Sequence, residues 1–258
     1  MKGKYFTFFM GVAYFAIGFS PITALAIAIS GVLPLSVSTL LIVLPATLLG
    51  IGLALWFPVY GKLALKGLLI GLIAVFLYDC MRVPFILAGI WGDFIPKINM
   101  LLFNTSQPNW VVGYIWRYVG DGGYMGMAFT VAYCILKPRV DSRIAGVGFG
   151  LAIWVCLLGT LILAPHGQEI LFKLTLTTLS LSLLGHLIYG ISLGMLLPYV
   201  LREKEMLRCA QHDSAVIGRF LDVLEVPAVE EETVKLPPLL RVRPIWEHKT
   251  SPLSVAIR

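Results

Sequence analysis

Charge is scarce in this chain. Asp, Glu, Lys and Arg make up 13 % of its 258 residues, against about a quarter in an ordinary soluble domain, so most of its length has no means of presenting a water-facing surface. Cysteine is scarce too. The four cysteines, at positions 80, 134, 156 and 209, form no CxxC and no paired spacing, and three of them lie in apolar runs. A disulfide framework or a zinc site is therefore not expected, and packing as small apolar residues is. Only one of the four histidines, His186, falls inside an apolar run, which leaves no pair to clamp a haem across two helices; no metal or cofactor is expected. A Walker A loop, an HExxH helix and a dinucleotide glycine fingerprint are also missing. That removes readily recognised enzymes and leaves open whether the chain is an enzyme at all.

What remains is apolar length. Hydrophobic residues make up 58 % of the sequence, in runs long enough to cross a hydrocarbon core of about 30 Å at 1.5 Å per residue. The expected fold is all-α, a polytopic bundle of about six transmembrane helices over 5–29, 35–57, 67–90, 118–136, 145–164 and 172–200. Residues 1–200 form the transmembrane domain and 201–258 a cytoplasmic tail. The first apolar run exceeds the usual 7–15 residues of a signal peptide and is read as a retained span.

Basic residues recur on alternate connections: Lys2 and Lys4, then Lys62 and Lys66, then Lys137, Arg139 and Arg143, then Arg202, Lys204 and Arg208. The positive-inside rule reads this as two cytoplasmic termini and an even number of spans. Residues 1–200 hold eleven Lys and Arg against five Asp and Glu, while 201–258 hold nine of each. The excess positive charge thus belongs to the membrane part, where lipid headgroups rather than nucleic acid are its partner.

The stretch from Lys66 to Trp91 places Asp79 and Arg82 about 20 Å or more from Lys66, near mid-membrane. Three residues apart, they share a helix face and can pair. A buried ion pair that only joins helices is the simplest account, and a working polar site the alternative, because ionisable groups at that depth cost about 2.5–3.5 kcal/mol each on insertion scales. In the last span His186 sits about 24 Å from Arg202 along the axis, at comparable depth, with Tyr189 three residues on. Asp121 stands at the head of the fourth span. Asp79, Arg82, Asp121, His186 and Tyr189 are therefore the candidate site.

Residues 91–123 mix three tryptophans and two tyrosines with Asp93, Lys97, Arg117 and Asp121. Trp and Tyr favour the headgroup level, so this segment is expected on the outer face as an amphipathic connector, a surface belt or a lid. Gly122 and Gly126, Gly146 and Gly150, and Gly190 and Gly194 repeat every four residues, a spacing that lets helix backbones approach. Glu169 and Lys173 are expected to pair at the surface. Beyond residue 201 an amphipathic start gives way to a Glu- and Pro-rich stretch that reads as flexible. The run MLRCAQHDS resembles translated fragments of intergenic repeats in some bacterial genomes, which implies a late addition that is part of no site. The expected location is a bacterial inner membrane, with both termini cytoplasmic.

Three function classes follow. The first is a small-solute or proton-linked carrier, its polar or anionic solute passing Asp79, Arg82 and His186. The second is a structural or assembly subunit that meets a partner membrane protein or its own copy. The third is a membrane-embedded enzyme acting on a lipid or isoprenoid.

Overall fold

A segment immersed in hydrocarbon must satisfy its own backbone, and helices do so without an edge. The structure, a computed structural model, describes residues 2–136 and 140–201, with side chains from Tyr5 onward. Among these residues it is all-helical, with no strands. Lys137, Arg139 and the tail expected beyond Leu201 lie outside the described residues.

Helix α1 spans Lys2–Ile29 and carries Pro21 inside it. After a tight turn, α2 (Leu35–Ser38) leads through a π-helical turn, Thr39–Val43, into α3 (Leu44–Trp56). Pro45 explains the wide turn: it has no N–H for the Leu41 carbonyl and its ring crowds that group, which a π turn moves aside. Phe57 alone separates α3 from α4, which runs from Pro58 to Leu87 and begins nine residues before the span expected from position 67.

Gly89, with a φ of +71°, turns the chain into a cap. The cap contains a 3-10 turn, Ile95–Lys97, and α5 (Ile98–Phe103). Helix α6 (Trp110–Ile115), a second π segment (Trp116–Tyr124) and α7 (Met125–Leu136) then follow without interruption. The last elements are α8 (Ser142–Leu163), the short α9 (Gly167–Ile170) and α10 (Leu176–Val200). Among the described residues five helices are long and apolar enough to cross a membrane: Tyr5–Ile29, Leu35–Trp56, Pro58–Leu87, Ser142–Leu163 and Leu176–Val200.

Helix α4 occupies the centre, packed on α3, α7 and α10. Glycine sets how close its neighbours come. A Cβ at Gly126 would run into Gly71 of α4, and one at Gly190 of α10 into the Gly146 carbonyl of α8, so both seams bring backbone against backbone. The α8–α10 seam is tied by hydrogen bonds from Ser142 Oγ to the Gly194 carbonyl at 2.8 Å and from Trp154 Nε1 to Ser182 Oγ at 3.1 Å.

The cap departs from the surface belt expected of it. Trp91, Ile95 and Ile98 are buried in one cluster with Ala24, Ile29, Leu161 and Phe172, closing the bundle end where the cap and residues 164–175 meet. Gly92, Lys97 and the stretch from Phe103 to Val111 lie exposed. The expected Glu169–Lys173 pair is not formed: Glu169 Oε2 lies 3.3 Å from His166 Nδ1 instead.

Candidate functional site

The site begins with two residues one helical turn apart. On α4, Asp79 Oδ1 lies 3.3 Å from Arg82 Nε, and both side chains are buried, Arg82 to within 1 %. Neither is satisfied by the other alone. Arg82 Nη2 also donates to Asp93 Oδ1 of the cap at 3.3 Å and to the Tyr114 hydroxyl of α6 at 3.0 Å. Tyr114 in turn donates to Asp93 Oδ2 at 3.2 Å, and the Ile95 N–H to Asp93 Oδ1 at 3.1 Å. The cap is therefore fastened to α4 by a charged link in place of a surface contact.

The π segment supplies the other half. Arg117 Nη2 donates to Asp79 Oδ1 at 3.3 Å, and Arg117 Nη1 lies 4.0 Å from Asp121 Oδ2. The Arg117 guanidinium lies 4.4 Å from the centre of the Tyr78 ring, a desolvated cation–π contact. Three glycines in this segment (Gly120, Gly122 and Gly123) let it press against α1 and α4, and π turns recur at functional sites. Tyr189 of α10 donates to the Gly122 carbonyl at 2.7 Å and Tyr124 shares a 2.7 Å hydrogen bond with Thr47, so the segment is held from two sides.

A cavity of about 440 Å³ adjoins this network, within the usual range of ligand pockets. Its polar wall comprises Arg82, Arg117, Asp121, Tyr78 and His186. The remainder is largely apolar, with Ile22 and Ala26 from α1, Ile153 and Leu157 from α8, and Phe94 and Phe172 as a roof. Helices α1 and α8 touch at the edge-to-face contact of Phe19 with Phe149. Beyond it Thr23 of α1 and Cys156 of α8, with Val32 in the turn after α1, are lining residues that lie exposed.

His186 Nδ1 lies 2.7 Å from the Ser182 carbonyl. A carbonyl only accepts, so Nδ1 carries a proton, and in the neutral ring Nε2 is an acceptor. The ring stands edge-to-face on Tyr78, 5.5 Å between centres.

Of the five residues singled out from sequence, Asp79, Arg82 and Asp121 thus join one network. His186 shares a cavity wall with Arg82 and Asp121, and Tyr189 braces the π segment without lining the cavity. Asp79 does not line it either; it sits behind, shared by two guanidiniums. Sequence reading missed Asp93, Tyr114, Arg117 and Tyr78 as site residues. One available signal was the i, i+4 spacing of Arg117 and Asp121. The run Gly190–Gly194, GISLG, also fits a G-x-S-x-G pattern, but it lies inside α10, with its glycines packed on α8. A nucleophile elbow needs a strand-to-helix turn, so Ser192 has no such role.

A family model described as "Family of unknown function (DUF6789)" matches residues 64–208, more than half of the chain, and the chain belongs to that family. The match takes in every charged member of the network and His186, and leaves α1, one wall of the cavity, outside it. No curated protein and no solved structure matches the chain.

Proposed function

We propose that this DUF6789 member binds an amphiphile drawn sideways from the membrane, its tail lying between α1 and α8 and its head resting on Arg82, Arg117, Asp121 and His186. The observation that carries this reading is the pairing of a largely apolar cavity, with exposed lining residues on α1 and α8, with a single charged wall. A freely soluble solute has no use for such walls, whereas a lipid-like molecule matches both parts at once. Handling a lipid or isoprenoid, with or without chemistry on it, is the function class that follows.

In this reading the composite helix of residues 110–136 is the sixth span, and both termini face the cytoplasm of a bacterial inner membrane. Lys62, Lys66 and Arg143 gather at the end of the bundle opposite the cap, in keeping with the positive-inside rule. Residues 201–258 form the cytoplasmic tail. A proton-linked carrier is the second reading, favoured by the Nε2 acceptor of His186 on the cavity wall.

The test is direct. Protein purified in mild detergent is expected to carry an amphiphile that is extracted and identified by mass spectrometry, and Ala26→Trp, which fills the cavity from α1, is expected to remove it without loss of helicity. A wild-type protein free of bound amphiphile, or a filled variant that keeps the same one, overturns the proposal.

A further inference from the structure

Within the amphiphile reading, on which this step rests, the charge balance of the polar wall selects the head group. The network holds three carboxylates, Asp79, Asp93 and Asp121, and two guanidiniums, Arg82 and Arg117. The described ion pairs bring no third cation to it; His186 stands edge-to-face on Tyr78, lines the same cavity and pairs with none of the three carboxylates. One negative charge is in surplus. In a medium of low dielectric constant such a surplus is met by a proton or by a cation, and an added anion is strongly disfavoured.

Among the three carboxylates Asp121 is the least compensated, although Asp79 Oδ2 is also buried without a hydrogen bond. Asp79 is shared by both arginines, and Asp93 accepts from Arg82, Tyr114 and the Ile95 N–H. Asp121 has only the 4.0 Å approach of Arg117. Its Oδ1 is buried without a hydrogen bond, and the Trp116 indole N–H, its other polar neighbour, is outside hydrogen-bond geometry. The Asp121 side chain is more than nine-tenths buried and lines the cavity. His186, which lines the same cavity, offers an acceptor in Nε2 of its neutral ring. Arg82 Nε and Nη1 and Arg117 Nε are buried without hydrogen-bond partners as well, so it is the net negative charge of the wall, and not a shortage of donors, that favours a cation.

We infer that the ligand is an amphiphile with a cationic amine head, held by Asp121 and His186, and that phosphate- or carboxylate-headed lipids are rejected by the same surplus charge. The probes are dodecylamine, dodecanol and dodecyl phosphate, titrated into the purified protein and counted as bound adducts by native mass spectrometry. Dodecylamine is expected to bind at least tenfold more tightly than dodecyl phosphate, with dodecanol between them. Asp121→Asn, which removes the surplus charge at nearly constant volume, is expected to abolish that preference. The order of affinities in the unaltered protein tests the inference even where the variant does not fold. Binding of all three with dodecyl phosphate equal or tighter, or an amine preference unchanged in Asp121→Asn, overturns the head-group assignment and leaves the amphiphile reading standing. Saturable binding of none of the three overturns both.

Discussion

Helices α3 and α4 are neighbours in the chain and nearly equal in apolarity, yet the bundle uses them differently. The span Leu35–Trp56 has a mean hydropathy of 2.2 and Pro58–Leu87 one of 2.0, but 6 % of the first window is buried inside the protein against 50 % of the second. Hydropathy measures the affinity of a segment for hydrocarbon and is blind to whether that hydrocarbon is lipid or protein. What separates the two is the set of residues lipid cannot serve. Helix α4 carries Gly67 and Gly71, which admit the backbone of α7, and Asp79 and Arg82, which need partners. Helix α3 carries neither charge nor buried residue, and its leucines other than Leu53 are exposed.

The contrast breaks most readily at Asp79. Asp79→Ala leaves two buried guanidiniums short of their shared acceptor, and removal of one partner from a buried pair costs about 3–5 kcal/mol. Unfolding by denaturing detergent measures this, and a loss below about 1 kcal/mol would mean that the ionic network does not hold α4 at the centre. A smaller effect is expected at the α8–α10 seam, where Gly190→Leu drives a side chain into the Gly146 carbonyl. Overpacking of this kind costs about 1–3 kcal/mol, read in the same titration; an unchanged midpoint would show that the two backbones do not touch. The smallest effect belongs to α3. Leu48→Ala, at an outward-facing position, is expected to stay within about 0.5 kcal/mol, and a loss several times larger would reveal a protein partner on that face.

The legible part of the site was the local part. Asp79 and Arg82 lie three residues apart on one helix, and helical spacing alone brings them together. His186 was placed at a comparable depth by counting residues, since rise per residue is constant, and it does share a wall with Arg82. Arg117 was read as an outer-face charge because its surroundings are rich in tryptophan and tyrosine. Its burial depends on a π segment that presses between α1 and α4 and on an acid 38 residues away. Trp91 misled for a related reason: indole favours the headgroup level in the absence of anything better, and here a pocket formed by α1, α8 and Phe172 accepts it.

The amino-acid sequence by itself determined that the described residues are helical and that several of their helices are long and apolar enough to cross a membrane, since length, apolarity and backbone hydrogen bonding act within one segment. Only the tertiary structure decided which charges meet, which tryptophan is buried and where a cavity is left. Those outcomes follow from the packing of segments far apart in the chain, where a missing Cβ or an added residue in one turn settles which side chains come within reach of each other.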